Sequence, residues 1–181
     1  MHQSDKTISV LDDGACDHLL NLKLPSIKLP STGNSVIDFS TLNSVVIYCY
    51  PMTSRPDSKT PEDWDKIPGA RGCTPQSCAF RNHYNELKVL GSNVFGLSTQ
   101  TTEYQLEAKA RLHLPFELVS DRDLRFISAV NLPNFSVEGK ILVKRVTLIV
   151  QNSIIKKVFY PISSPDKNAE QVIEFLNGQK A

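Results

Sequence analysis

Apolar positions run without interruption from Val45 to Tyr50, and most are β-branched or aromatic. A short run of this kind is a strand covered on both faces, as in parallel or mixed sheets. Val94-Phe95-Gly96-Leu97-Ser98 has the same character and predicts a second buried strand. Between the two the period changes. Phe80, Tyr84, Leu87 and Leu90 recur at helical spacing and predict a helix from about Thr74 to Leu90. Thr74 and Pro75 supply its N-cap and first position, and Gly91 its stop. Thr101 to Leu112 reads as a helix, Phe116 to Val119 as a brief extended segment, and Asp121 to Val130 as a short helix. Lys144 to Val150 and Ile154 to Tyr160 are strands around a turn at Gln151-Asn152-Ser153. Pro165 to Leu176 closes the chain with a helix whose Val172, Ile173 and Leu176 face inward.

Upstream, residues 1–21 read as a polar arm with a turn at Asp12-Asp13-Gly14. Proline then punctuates Leu22 to Pro25 and Ile27 to Pro30. With Val36 to Phe39 these suggest short edge strands joined by a turn at Thr32-Gly33-Asn34. Residues 52–72 are broken by Pro56, Pro61, Pro68, Gly69 and Gly72. Inside them, Thr60-Pro61-Glu62-Asp63-Trp64 carries the start signature of one short helix within a long loop. Loops that long are uncommon unless functional. Strands alternating with helices, then a hairpin and a last helix, predict an α/β domain over residues 22–178. Its fold is expected to be thioredoxin-like, a central mixed β-sheet with helices on both faces.

A chain of 181 residues can bury a core without disulfide staples. Apolar content of 40% and charged content of 22% are those of a globular protein. A formal net charge of +1 gives no field for nucleic acid or an anionic membrane. The amino terminus lacks a signal-peptide apolar stretch, and no run approaches membrane-spanning length. Cys16, Cys49, Cys73 and Cys78 are spaced too unevenly for a secreted disulfide framework. A reducing, cytoplasmic address is expected, where paired cysteines are catalytic or metal-binding more often than structural.

The chemistry gathers in Gly72-Cys73-Thr74-Pro75-Gln76-Ser77-Cys78-Ala79-Phe80-Arg81. A helix start offers partial positive charge and unpaired N–H groups, which favour the reactive thiolate. Cysteine after glycine at such a start is expected to be exposed. On an intact helix, residues five apart lie roughly 8 to 9 Å apart at Cα. A disulfide usually needs less than about 7 Å, so bonding Cys73 to Cys78 requires the first turns to unwind. Cys49, in a buried strand, reads as packing, and Cys16, in the polar arm, as a surface thiol. His83 reads as a surface or capping residue. Trp64 either walls the site or anchors its loop. Lys144 points away from Arg145 by strand periodicity and reads as solvated. Two other site chemistries compete. A metal site on Cys73, Cys78 and His83 has the spacing for a zinc pair but lacks a fourth ligand. A disulfide reductase would prefer Cys-x-x-Cys, which is absent.

The stretch from Gly72 to Arg81 resembles the active site of the peroxiredoxins, most closely the peroxiredoxin Q or bacterioferritin comigratory protein subgroup. Phe95-Gly96-Leu97-Ser98-Thr99, Leu114 to Asp121 and Arg145 to Val150 resemble further family segments, in the same order. The resemblance spans roughly residues 22–177. It implies a thiol peroxidase acting on hydrogen peroxide or organic hydroperoxides, with no cofactor. Cys73 would be the peroxidatic cysteine, Cys78 its resolving partner, and Arg145 the guanidinium beside the thiolate. Thioredoxin, or glutaredoxin, would supply electrons to a monomer or weak homodimer. One departure stands out. The family places a threonine or serine three residues before the peroxidatic cysteine and a proline four earlier; here those positions are Ala70 and Lys66. Residues 52–72 carry an insertion of about fifteen residues relative to the family. Thr53, Ser54 and Thr74 are the candidates for the missing hydroxyl. The departure also supports a competing reading as a non-catalytic redox sensor or regulatory binding module.

Overall fold

Period-two alternation along the strands organises the molecule. The computed structural model describes residues 10–180. A two-residue pair, β1 (Leu29–Pro30) and β2 (Val36–Ile37), precedes the first long strand, β3 (Ser44–Cys49). Helices α1 (Cys73–Asn82) and α2 (Tyr84–Val89) lead to β4 (Asn93–Ser98), α3 (Thr102–Arg111), β5 (Leu118–Ser120) and α4 (Arg125–Ala129). A hairpin of β6 (Asn134–Val137) and β7 (Lys140–Val143) follows, then β8 (Val146–Gln151), β9 (Ile154–Phe159) and α5 (Asn168–Gly178). Five strands form the main sheet in the order β5-β4-β3-β8-β9. β3 runs parallel to β4 and antiparallel to β8, so the sheet is mixed.

Val45, Ile47 and Cys49 face one side of β3 and pack with Phe126 and Ile127 from α4. Val46 and Tyr48, with Tyr50 just beyond, face the other, against Phe80 of α1, Leu87 of α2, Ala108 of α3 and Val172 of α5. The central strand is thus buried on both faces, as its sequence predicts. No helix among the described residues is long and apolar enough to cross a membrane.

Several elements differ from the sequence reading. The helix expected over 74–90 is two helices, broken at His83, whose backbone leaves helical geometry at φ −102°, ψ 9°. Gly91 does stop the second, with φ +82°. The helix expected over 121–130 shrinks to α4, because the Asp121 carboxylate takes the N–H groups of Arg125, Phe126 and Ile127 and so starts it late. In the 52–72 loop only a 3₁₀ turn forms, Trp64–Lys66, behind a left-handed Asp63 rather than a Thr60 cap. The strand expected from Lys144 begins at Val146. The β6–β7 hairpin was not anticipated. Its turn uses positive φ at both Glu138 and Gly139.

Residues 10–21 do not stand off as an arm. Cys16 is buried at 6% exposure and Leu19 completely, in the same core as β3 and β8. Burial pushes the Cys16 thiol up to about 12. The expected surface thiol is therefore a core residue. Polar neighbours hide this in the sequence, because Cys16 and Leu19 are flanked by Asp12, Asp13, Asp17 and His18 and the adjacent Leu20 is exposed. Residues 1–9 of the expected arm lie outside the described residues.

Candidate active site

The first residue of α1 is Cys73 itself, and Gly72 is its N-cap, not Thr74. Gly72 sits at φ +104°, and a Cβ there would come within 2.7 Å of the Pro165 ring. Backbone conformation and close packing both demand glycine. Pro75, at the third helical position, has no N–H, and the Gln76 N–H goes to the Gly72 carbonyl at 3.0 Å. Helix geometry thus leaves the N–H groups of Cys73 and Thr74 unpaired beside the sulfur.

Cys73 is 5% exposed, which corrects the expectation of an exposed thiol. It lies at the base of a cleft of about 220 Å³ lined by Met52, Thr53, Trp64, Ala70 and Thr74. Arg145, brought up by the turn from β7 to β8, is buried with it. Its Nη2 lies 3.1 Å from Cys73 Sγ, 3.2 Å from the Ala70 carbonyl and 2.9 Å from the Arg71 carbonyl. Its Nη1 donates to Gln76 Oε1. A guanidinium held this way presents a permanent cation to a sulfur that gains charge or passes it on.

Gln76, Asn168 and Thr147 did not emerge from the sequence as site residues. Gln76 Nε2 donates to Asn168 Oδ1 at 3.1 Å, and Thr147 Oγ1 donates to the same oxygen at 2.7 Å. All three are completely buried. They connect Arg145 to α5 through a continuous hydrogen-bonded chain, which holds the guanidinium by its Nη1 while its buried Nε has no partner among the described residues. The available signal was a polar amide on the inward face of α1, one turn after Cys73.

Both cysteines of the motif are free thiols on an intact helix. Cys78 is half-buried against the α1 side of the core. Ser77 beside it accepts from the Tyr48 hydroxyl at 3.2 Å, and the Phe80 ring stacks on Tyr48 at 4.6 Å. Burial drives the Tyr48 and Tyr50 hydroxyls well above their ordinary range, so both remain neutral.

Ala70 is buried with Trp64 and Leu142 in a small apolar cluster, and its carbonyl serves Arg145. Thr53, Ser54 and Thr74 all line the Cys73 cleft. The Thr53 hydroxyl is held by the Gln100 side chain at 3.3 Å, and Gln100 returns a bond to the Thr53 carbonyl at 3.0 Å. Trp64 takes both roles considered for it. It lines the cleft and packs on Phe135 of β6, ring centres 6.2 Å apart. His83 bonds Glu86 at 3.0 Å, and Lys144, instead of being simply solvated, pairs with Asp13 at 3.5 Å. Among the described residues no three His, Cys, Asp or Glu side chains converge as a metal site would require.

Comparison with known proteins places this geometry in a family. The Redoxin family model matches residues 20–173. Peroxiredoxin Q from the chloroplast of Suaeda salsa is 26% identical over 132 residues, 73% of this chain and 54% of that protein. Its counterpart from Sedum lineare is 26% identical over 136 residues, 75% of this chain and 64% of that protein. The chain therefore matches between half and two thirds of these relatives' length. The crystal structure of peroxidoxin BcpB from Mycobacterium tuberculosis superposes with a TM-score of 0.72 at 21% identity, covering 88% of this chain and 96% of that one. The fold is accordingly thioredoxin-like, and the chain belongs to the Redoxin family, on its peroxiredoxin Q and bacterioferritin comigratory protein branch.

Proposed function

We propose that this chain is a thiol-dependent peroxidase with Cys73 as its nucleophile. The observation that carries this reading is Arg145 Nη2 at 3.1 Å from Cys73 Sγ, at the base of an open cleft. The thiolate attacks the terminal oxygen of a peroxide, an S–O bond forms and the O–O bond breaks. The departing oxygen leaves as water or alcohol after gaining a proton. The guanidinium and the free N–H groups of Cys73 and Thr74 face the charge that moves from sulfur to oxygen. Cys73 is left as a sulfenic acid. The Cys78 thiol then condenses with it, releases water and closes a disulfide. Because both sulfurs sit on one intact helix, the first turns of α1 unwind for this step. An external dithiol protein of the thioredoxin or glutaredoxin class reduces the disulfide by exchange. No cofactor is needed. Resolution within one chain suits a monomer or weak homodimer, and a reducing cytosol suits free thiols at all four cysteines.

A second reading, a redox sensor that oxidises once per signal, draws on Ala70, whose methyl stands where the family carries a hydroxyl. Thr53 in the same cleft offers a replacement and favours turnover. Supplying reduced protein with hydrogen peroxide, thioredoxin, its reductase and NADPH tests both. Wild type consumes NADPH continuously, Cys73→Ser does not, and Cys78→Ser stalls as a sulfenic acid that dimedone traps. A single stoichiometric oxidation with no steady turnover selects the sensor. Equal NADPH consumption by all three proteins overturns both readings.

A further inference from the structure

Arg145 has two sides. With one it meets Cys73, and with the other it walls a separate hollow of about 310 Å³. No residue lines both this hollow and the Cys73 cleft. Val10, Leu11, Pro161 and Ile162 give the hollow apolar walls, and its charged groups are Asp13, Lys144 and Arg145. Asp13 is already satisfied, by the Lys144 ammonium at 3.5 Å, the Tyr160 hydroxyl at 2.9 Å and the Ala15 N–H at 3.1 Å. Arg145 is not balanced in this way. It is buried, and it donates to the Gln76 amide oxygen and to two backbone carbonyls, all of them neutral. No carboxylate pairs with it among the described residues. The Cys73 sulfur is the one contact there that can carry negative charge, and the buried Nε has no partner. Nε and Nη2 share one edge of the planar guanidinium. On that edge Nη2 bonds Ala70 and Arg71, and the two residues before them, Pro68 and Gly69, line the hollow. The unused N–H therefore faces the segment that borders the hollow, away from Gln76.

We infer that this hollow binds a small monocarboxylate with an apolar body, and that the ligand and the charge on Cys73 compete for one guanidinium. The carboxylate is taken by Arg145 Nε and Lys144. A buried cation whose protein partners are neutral calls for one counter-charge. A Cys73 thiolate supplies it from the cleft. When the sulfur is neutral, as a sulfenic acid or in a disulfide, the carboxylate supplies it from the hollow. Linkage makes the effect mutual: a ligand that prefers the neutral sulfur disfavours the charged one to the same extent. The apolar body lies along Leu11, Pro161 and Ile162, and Asp13 in the same hollow repels a second negative charge.

Hexanoate binding, read by calorimetry and from amide chemical shifts, tests this without turnover, so its outcome is independent of the peroxidase reading. Cys73→Ser leaves a neutral oxygen beside Arg145, and Cys73→Asp leaves a fixed anion. The serine variant is expected to bind hexanoate about tenfold tighter than the aspartate variant, an ordinary size for coupling between two sites. Shifts centre on Leu11, Lys144 and Ile162, not on Thr53 and Thr74 of the cleft. Uncharged hexanol binds about tenfold more weakly than hexanoate, as loss of charge pairing requires. Leu11 is 82% exposed, so replacing it spares the fold. Leu11→Glu weakens hexanoate binding and Leu11→Lys strengthens it, both with wild-type turnover of hydrogen peroxide. Equal affinity in the serine and aspartate variants overturns the competition for Arg145. Absence of binding, equal binding of hexanol, shifts centred on the cleft, or indifference to the charge at position 11 overturns the site itself.

Discussion

At the scale of single residues, the site depends on groups that never touch sulfur. Arg145 reaches Cys73 with one nitrogen while the other is held by Gln76, and Gln76 is held by Asn168. Replacing Asn168 with leucine leaves the Gln76 amide and the Thr147 hydroxyl without their acceptor inside the core. An orphaned buried polar group costs about 1 to 3 kcal/mol. Part of that is lost as stability and part as a guanidinium free to turn from the sulfur. Asn168→Leu is therefore expected to lower kcat/KM for hydrogen peroxide by about tenfold, with a loss of about 1 to 2 kcal/mol in urea unfolding. Asn168→Asp keeps the accepting oxygen and should recover most of the rate even where stability is not recovered. Rates that follow stability through both variants would give Asn168 a purely structural part.

Among the elements, α1 has the conflicting duty of holding Cys73 in place and then letting go. Its first turn is weakly tied, since the Gly72 N-cap offers no side-chain bond to the leading N–H groups. Its middle is anchored through Gln76 to α5, through Ser77 to Tyr48, and through Phe80 stacked on Tyr48. Oxidation to the Cys73–Cys78 disulfide should thus raise amide exchange across residues 76–83, whose N–H groups bond to the carbonyls of the opening turns, while α2 keeps its protection. Exchange unchanged across 76–83 would mean the disulfide does not form within one chain. The break at His83 makes this separation possible, and it was not legible: no proline or glycine marks it, and the stripe of Phe80, Tyr84, Leu87 and Leu90 runs through it unbroken. The strands from Val45 and Val94 were legible because burial on both faces leaves an uninterrupted apolar run. The β6–β7 hairpin was not, because its strands are four residues each and Glu138-Gly139 is a weak turn signal. Cys73 was legible from the residues, as a thiol at a helix start with a second thiol five positions on, and Arg145 through a family likeness. Gln76, Asn168 and Thr147, scattered over α1, α5 and β8, meet only in the folded chain.

For the whole molecule, the sheet encloses acids that stay protonated only while it is folded. Cys49, Tyr48 and Tyr50 are completely buried, and desolvation, the leading cause for each, pushes their ionisation upward. Cys16 follows, up to about 12 from an ordinary 9.0. In the unfolded chain the thiols ionise near 9.0 and the phenols near 10.0. Above those values the unfolded state binds fewer protons than the folded state, so stability falls as pH rises. The stabilisation is complete below about pH 9 and is lost progressively above it, with Cys16 ceasing to contribute further near its folded value of about 12. Each group that titrates only on unfolding adds a slope of about 1.4 kcal/mol per pH unit, so a few of them together can exhaust an ordinary domain's stability within two or three units. Urea midpoints of the reduced protein are expected to hold steady from pH 7 to 8.5 and then drop steeply to pH 11. Tyr50→Phe, which removes one of these acids and a buried hydroxyl with no bonding partner among the described residues, should make that drop shallower. A midpoint that stays level to pH 11, or a Tyr50→Phe profile parallel to wild type, would mean that water reaches these side chains in the folded state, and with it the sheet face against which α1 and Cys73 are packed.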